Sequence, residues 1–387
     1  MPYRWLDIDS DESARLTVES LVGDELKLPV VFLPNGDTMV APDRNELAEK
    51  LGMKTKAAGD FYDLVVVGAG PAGLAAGVYG ASEGLKTVVI EKDATGGQAG
   101  TSSRIENYLG FPKGLSGSDL ARRATAQAER LGTEILVPQE AVSVRVEDPY
   151  KIVSLADGTE ISCYAMVLAP GVSVRRLDVP GVEELTGAGI FYGAALTEAA
   201  HYRGEEVFVI GGANSAGQGA MFFSRYASKV TMLVRGEGLQ KSMSHYLIEQ
   251  IGATPNIEVV PHAEVVEAKG DNALEKLVLN NPENGSRVER DAKAMFVFIG
   301  TAPHTEFVRE LVSHDPGGFI LTGQDLLVEG RLPKGWNAER LPMHLESSVP
   351  GIFAAGDARA GSSKRVAAAT GEGAVAVQLV HQYIKTV

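Results

Sequence analysis

The sequence predicts an α/β protein with a small α/β extension at its N-terminus and two larger domains of one common design. In the first, an apolar run at 63–67 leads into a glycine-rich loop, a helix of small residues and a second apolar run at 86–91. The same order of strand, glycine loop, helix and strand recurs between residues 206 and 234. Because strands that alternate with helices are typical of a parallel sheet covered by helices, we interpret both units as Rossmann-like, three-layer (ββα) nucleotide-binding domains.

The composition narrows the class of protein. A chain of 387 residues is long enough for about two or three domains. Its 36 lysines and arginines against 50 aspartates and glutamates leave a net charge of −14, which argues against nucleic acid or an anionic membrane as the main partner. Cys163 is the only cysteine, so an intrachain disulfide, a CxxC pair and a cysteine-based zinc site are excluded. The histidines show no metal-ligand spacing, and we predict no metal site.

Targeting signals are not evident in the sequence. The first residues lack the apolar segment of a signal peptide. The uncharged stretch 64–82 is long enough to cross a bilayer, but its five glycines and one proline are typical of a glycine-rich loop instead. We therefore expect a cytoplasmic protein without a membrane segment.

Residues 1–58 are predicted to form the separate extension. We expect a strand at 5–9, a helix at 10–21, a strand at 28–33 that turns at 35–37, and a last helix. Asp43 is the expected N-cap of this last helix, since Glu46 follows three residues later and Gly52 ends the apolar pattern. Residues 54–59 are expected to be a linker.

The first glycine loop has the spacing GxGxxG. Gly68 allows the tight turn, Gly70 allows a phosphate to approach the backbone, and Gly73 allows the helix to pack on the strand. Glu91 ends the next strand, where an acid binds a ribose hydroxyl. An ordinary tight βα turn is the simpler alternative, but the register of strand, helix and acid favours dinucleotide binding.

The second loop keeps less of this pattern. Gly211 and the small residue Ala216 are present, whereas Ala213 replaces the central glycine. The strand that follows is succeeded by Arg235, a cation that suits the 2′-phosphate of NADP better than NAD. A solvated surface arginine on a domain that no longer binds nucleotide is the alternative. The predicted binding residues are Gly211, Gly212, Ala213, Asn214, Ser215, Ala216 and Arg235.

The C-terminal part contains a third motif. The apolar run at 352–355 ends in Gly356-Asp357, and a helix of small residues follows at 367–376. Small residues at a helix start let backbone amides approach a ligand, and the aspartate can hold hydroxyl groups.

Together, the motifs at 68–73, 96–98, 105–108, 169–171 and 349–357, with the central loop at 211–216, resemble the bacterial low-molecular-weight thioredoxin reductases. The resemblance covers about residues 60–387. It implies a discontinuous FAD-binding domain at 60–177 and 304–387, an inserted NAD(P)H-binding domain at 178–303, FAD and NADP(H) as cofactors, and a homodimer.

The resemblance also implies which residues bind FAD. Gln98 and Asn107 are expected at the isoalloxazine, Asp357 at the ribityl chain, and the backbone amides of Val366 and Ala367 at the pyrimidine end. The complete set is Gly68, Gly70, Pro71, Ala72, Gly73, Glu91, Lys92, Gly97, Gln98, Asn107, Val142, Ala169, Gly171, Gly356, Asp357, Arg365, Val366 and Ala367.

The sequence departs from this family at its redox centre. Gly193 and Leu196 stand at the two cysteine positions of the family's CxxC dithiol, which leaves the catalytic residues unassigned. Cys163 lies in an alternating apolar run and is expected to be a buried core thiol. The extension resembles the C-terminal part of a glutaredoxin fold that lacks the active-site helix, and we expect either a packing remnant or a docking or lid element.

Two functions remain open from the sequence. One is an FAD-dependent oxidoreductase that passes electrons between NAD(P)H, or ferredoxin, and an external acceptor such as a small disulfide, a quinone, oxygen or a protein partner. The other is a flavin-binding sensor or interaction module without pyridine-nucleotide turnover. His304, where the two domains are expected to meet again, is the one histidine considered as a proton donor.

Overall fold

The computed structural model describes residues 4, 6–8, 11–22, 27–102, 105, 107–192, 201–333 and 335–387. The chain divides into two compact units: the first comprises Met1–Val172 and Pro303–Val387, and the second comprises Ser173–Ala302. The unit boundaries follow Val172 and Ala302, whereas the sequence analysis places them after residues 177 and 303. The extension is grouped with the first unit.

The extension contains α1 (Glu12–Val22), β1 (Val30–Phe32), β2 (Thr38–Val40) and α2 (Arg44–Lys50). The two strands form the predicted hairpin, with antiparallel pairing. The Asp43 side chain caps α2 by accepting the amides of Asn45 and Glu46, as its spacing predicted.

The strand predicted at 5–9 is wrong for its described residues, Leu6–Ile8, which are not part of a strand. The carbonyl of Asp7 instead accepts the amide of Asp11 at 2.8 Å. This helix-like bond leads the chain directly into α1, so the backbone there is not extended.

The first unit is built on a seven-stranded sheet among the described residues. Its strands are β3 (Phe61–Val67), β4 (Thr87–Ile90), β5 (Glu134–Leu136), β6 (Ala141–Glu147), β7 (Tyr150–Leu155), β8 (Glu160–Leu168) and β19 (Ile352–Ala354). The order is β5-β4-β3-β8-β7-β6, and β19 also pairs with β8. The helices of this unit are α3 (Pro71–Ser82), α4 (Gly97–Gly100), α5 (Gly117–Leu131) and α8 (Val366–Ile384).

Strand β3 is covered by hydrophobic clusters on both faces of the sheet. Leu64 and Val66 lie in the hydrophobic cluster that includes α3 and α8 residues, whereas Val65 and Val67 lie in a second cluster with Val308. Both faces of the strand are therefore buried, and this explains the continuous apolar run of a parallel strand covered on both sides.

The second unit has a five-stranded parallel sheet in the order β10-β17-β11-β12-β13. These strands are β10 (Ile190–Tyr192), β11 (Glu206–Ile210), β12 (Lys229–Leu233), β13 (Ile257–Val260) and β17 (Ala294–Val297). A three-stranded antiparallel sheet adds β14 (Glu264–Lys269), β15 (Lys276–Asn280) and β16 (Arg287–Asp291). Strands β9 (Val172–Val174) and β18 (Thr301–Pro303) pair with each other, and the helices of the unit are α6 (Asn214–Phe223) and α7 (His245–Gly252).

A buried lysine lies in the core of the first unit. Lys151 on β7 is fully buried and is paired across the strands with Cys163 on β8. Its Nζ donates to the Pro149 carbonyl at 3.1 Å and to the hydroxyl of Tyr383. Burial lowers the pKa of Lys151 to about 8 because the ammonium form is poorly solvated in the core.

We predict that Lys151→Met is more stable than the wild type below pH 8 and that this advantage shrinks between pH 8 and 10. In that interval the unfolded lysine, with its ordinary pKa of 10.5, still binds a proton that the folded lysine has released. The free energy of unfolding that Lys151 contributes therefore rises with pH by about 1.4 kcal/mol per unit.

Urea unfolding of both proteins from pH 7 to 10 measures this difference. Comparing the two proteins at each pH removes the shared contributions of Cys163 and Tyr383, whose pKa values burial raises to about 12. A difference that does not change with pH would contradict the prediction.

Candidate functional site

Four strand ends of the first unit meet at one edge of the sheet. The parallel pairs Val67↔Ile90, Val67↔Leu168 and Leu168↔Ala354 put the carboxyl ends of β3, β4, β8 and β19 side by side. The predicted residues that follow these strands therefore lie together: Gly68, Glu91, Ala169 and Gly356. Open α/β sheets bind nucleotides at this edge.

The glycine loop after β3 has the geometry of a phosphate cradle. A Cβ on Gly68, whose φ is +99°, would lie 2.2 Å from the Ala169 carbonyl oxygen, and one on Gly73 would lie 1.8 Å from the Gly68 carbonyl oxygen. At Gly70, by contrast, no described atom lies within 4 Å of such a Cβ. Because no side chain of the described residues caps α3 at this position, its first amides are left for an anion.

Glu91 holds this loop in place. The residue is 9% exposed; its Oε2 accepts the Ala69 amide at 2.7 Å and its Oε1 accepts the Asp93 amide at 2.9 Å. A carboxylate oxygen can accept more than one hydrogen bond. Glu91 can therefore anchor the loop and still receive the ribose hydroxyl that the sequence analysis assigns to it.

Asp357 lies in a 3-10 turn, Gly356–Ala358, and burial raises the pKa of its carboxyl group. Glu372 on α8 supports this turn, since its Oε2 accepts the Gly356 amide at 2.7 Å and its Oε1 pairs with Arg359 at 2.5 Å. Glu372 is not among the site residues predicted from the sequence. The sequence does single this residue out, because Glu372 is the only charged residue between Arg365 and His381.

The start of α8 shares a cavity with the glycine loop. The cavity has a volume of about 380 Å³, and its lining includes Pro71 and Gly96 on one side and Val366 and Ala367 on the other. Arg365 is the N-cap residue of α8, and within the described chain no side chain caps this end. The open first turns of α3 and α8, together with the space at Gly70, fit the phosphate and ring edge of FAD.

The other predicted FAD residues have different surroundings. Gly97 has a φ of +52°, and a Cβ there would lie 3.2 Å from the Gly70 Cα, so it is close to the loop. Gln98 and Asn107 are exposed. Val142 is 46% exposed on β6, at the opposite end of the strand order from β5. The roles of the last three residues stay predictions.

Three further members of the predicted set lie next to the loop and the strand ends. Ala72 packs against α8, where a Cβ on Gly373 would lie 2.2 Å from the Ala72 carbonyl oxygen, and against Gly356, where a Cβ would lie 2.9 Å from the Ala72 Cβ. Lys92 follows Glu91 directly, and its carbonyl accepts the Arg44 guanidinium at 3.2 Å. Gly171 has a φ of +72° and its carbonyl accepts the His304 amide at 3.1 Å.

The second unit repeats the loop geometry in part. Strands β11 and β12 end together through the pair Ile210↔Leu233, which places Gly211 and Arg235 at one edge. A Cβ on Gly211, whose φ is +134°, would lie 2.5 Å from the Phe298 carbonyl oxygen. Ala213 is the N-cap residue of α6 and Arg235 is exposed.

Two residues of this loop, Gly212 and Asn214, accept hydrogen bonds from the segment 242–244. The Oδ1 of Asn214 accepts the amide of Ser244 at 2.8 Å, and Ser244 is the N-cap residue of α7. Ser242 donates its hydroxyl to the Gly212 carbonyl at 2.9 Å. The segment 242–244 therefore holds the second loop, a contact that the sequence analysis missed. Ser215 is exposed, and Ala216 is buried beneath the loop.

Gly193 and Leu196, the residues at the two positions of the family's dithiol, lie outside the described residues.

Within the described ranges, no His, Cys, Asp and Glu residues are grouped so that they could hold a metal ion. No helix in these ranges is long and apolar enough to cross a bilayer. Burial lowers the pKa of His304, and the cation of Lys92 adds to this effect, so its surroundings favour the neutral imidazole.

We predict that Gly70→Ala folds normally but binds FAD about 10–150-fold more weakly. The methyl group has room in the protein, yet it would occupy the space where a phosphate approaches the amides, and a charge-assisted hydrogen bond contributes about 1.5–3 kcal/mol. FAD release, followed by flavin fluorescence, measures the effect. Gly252→Ala, at an open position at the end of α7, is the control; equal release from both variants would contradict the prediction.

Comparison with known proteins identifies the family of this chain. The family of pyridine nucleotide-disulphide oxidoreductases matches residues 62–373. A 34.2 kDa protein encoded in the rubredoxin operon of Clostridium pasteurianum is 31% identical over 322 residues, which is 83% of this chain and 97% of that protein. A thioredoxin reductase of Peptoclostridium acidaminophilum is 31% identical over 332 residues, 84% of this chain and 98% of that protein.

The similar solved structures are also thioredoxin reductases. The crystal structure of thioredoxin reductase from Streptococcus pyogenes is similar to this chain with a TM-score of 0.71 and 28% identity, covering 85% of this chain and 100% of that one. The predicted resemblance, the two Rossmann-like domains and the cofactors FAD and NADP(H), which thioredoxin reductases use, are thereby confirmed. The chain therefore belongs to the pyridine nucleotide-disulphide oxidoreductases and is an FAD- and NAD(P)H-dependent oxidoreductase of the thioredoxin reductase type.

Proposed function

We propose that this enzyme passes electrons between NAD(P)H and an external acceptor without an internal dithiol. The state of Cys163, the only cysteine of the chain, carries the proposal. Its thiol is fully buried on β8, and burial raises its pKa to about 12. A neutral thiol without access to solvent does not exchange with a disulfide, so the acceptor must be reduced by another route.

The residues of the first unit support binding of FAD at the edge formed by β3, β4, β8 and β19. Bound FAD supplies the redox chemistry, taking a hydride from a pyridine nucleotide and giving electrons to an acceptor. The amides after Gly70 would hold the pyrophosphate, Glu91 the adenosine ribose, and Asp357 the ribityl chain. Glu372 and Arg359 would keep the Asp357 turn in position, because Glu372 accepts the Gly356 amide of the turn and pairs with Arg359 directly after it.

The second unit supports binding of NADPH at the Gly211 loop, with Arg235 on the 2′-phosphate. The acceptor is proposed to be a small disulfide, a quinone, oxygen or a protein, and ferredoxin is the alternative electron donor. The resemblance also supports a homodimer. Leu109, which is 93% exposed, and Tyr79, which is 43% exposed and lines the cavity, are apolar surfaces of the first unit that a second copy could cover.

We predict that NADPH bleaches the visible flavin absorbance under anaerobic conditions, whereas NADPH and thioredoxin give no sustained turnover. The reason is that electrons can enter the protein but have no dithiol through which to reach thioredoxin. In Cys163→Ala, which lacks the buried thiol, NADPH should reduce the flavin at the wild-type rate.

The outcomes separate the alternatives. Robust thioredoxin turnover that survives Cys163→Ala would contradict the dithiol-independent route. A flavin that neither NADPH nor NADH reduces would favour ferredoxin as the donor, and one that reduced ferredoxin also leaves oxidised would favour a sensor.

We also predict that Arg235→Ala weakens NADPH binding about 10–150-fold while NADH binding changes little. A guanidinium pairs a phosphate bidentately, and such a contact contributes on the order of 1.5–3 kcal/mol. Stopped-flow flavin reduction at several concentrations of each coenzyme gives the two affinities. Arg287→Ala removes an exposed arginine of the same unit and is the control; equal losses for NADPH and NADH would indicate a structural role for Arg235.

A further inference from the structure

A chain of hydrogen bonds leads from the N-terminal extension into the first glycine loop. Arg44, the first residue of α2, donates from Nη1 to the Asp93 carboxylate at 2.6 Å and to the Lys92 carbonyl at 3.2 Å. The Asp93 amide donates to Glu91 Oε1 at 2.9 Å, and Glu91 Oε2 accepts the Ala69 amide at 2.7 Å. Arg44 is therefore separated from the loop by two residues only.

A second path joins the linker to the same glutamate. The Val137 amide donates to the Lys54 carbonyl at 2.9 Å, and the Gln139 side-chain amide donates to the Thr55 carbonyl at 3.1 Å. The backbone amide of Gln139 in turn donates to the Glu91 carbonyl at 2.7 Å. Both the side chain and the backbone of Glu91 are thus connected to the extension.

We propose that the N-terminal extension is a working part of the FAD site and that Arg44 is a positioning residue for Glu91. Arg44 does not itself contact the cofactor; by binding Lys92 and Asp93 it fixes the turn after β4, and this turn fixes the Glu91 carboxylate. The inference rests on the proposed assignment of Glu91 to the adenosine ribose. It gives residues 1–58, which carry no cysteine, a role in retaining the cofactor.

The exposure of the ion pair sets the size of the effect. The Arg44 and Asp93 side chains are 68% and 58% exposed, so water and salt weaken their attraction. Exposed pairs change an equilibrium by a factor of up to about five. A second pair in the extension, Lys50 with Asp37 at 3.7 Å, has similar exposure and lies entirely within residues 1–58. It offers a matched control on the same helix.

The test is the rate at which the holoenzyme releases FAD, followed by the rise of flavin fluorescence after dilution. Arg44→Ala and Asp93→Ala are each expected to speed release about two- to fivefold, and the double variant no more than the faster single one, because both remove one contact. Arg44→Lys should restore part of the retention, and added salt should reduce the difference from wild type. Lys50→Ala should release FAD at the wild-type rate.

Each outcome has one meaning. If Glu91→Gln speeds release but Arg44→Ala does not, the inference fails and the site assignment stands. If Glu91→Gln has no effect either, the assignment of Glu91 fails first. Additive effects of Arg44→Ala and Asp93→Ala, or an equal effect of Lys50→Ala, would show a general loosening of the extension and overturn the positioning role.

Discussion

The close backbone approach at the end of β3 is the constraint on which the first unit depends. Gly68 lies against the Ala169 carbonyl and Gly73 lies against Gly68, at distances that leave no room for a Cβ. These contacts bring β8 beside the loop and let α3 start directly above the strand. The same packing leaves Gly70 open, so the tight contacts and the phosphate-sized space have one origin.

Two carboxylates, the buried Glu91 and the partly buried Glu372, then position the functional loops. Glu91 binds the backbone that follows β3 and the backbone that follows β4, and Glu372 binds the Gly356 amide and Arg359. A buried carboxylate is stable only when its oxygens are satisfied. The loops are therefore held by groups that cannot move without losing hydrogen bonds, and this suits a site that must keep a cofactor in one orientation.

The position of Cys163 separates this chain from a dithiol reductase in chemical terms. The thiol pairs across the sheet with the buried Lys151 and is in the core of the first unit. Burial disfavours the thiolate and raises the pKa of Cys163 to about 12, so the thiol is neutral packing beside Lys151 and not a reactive centre. In the proposed route the electrons therefore pass through the cofactors alone, and the proposed role of the extension is to help retain FAD.

The sequence by itself determined the α/β class, both glycine loops, the Gly-Asp turn and the family, because these depend on local spacing within strand–loop–helix units. It also determined that a CxxC pair is absent. The tertiary structure alone decided that Leu6–Ile8 form no strand, that Asn214 accepts the amide of Ser244, that Glu372 supports the Asp357 turn, and that Arg44 reaches Asp93. The last three contacts join residues that are distant in the chain, and no local pattern encodes the position of such a partner.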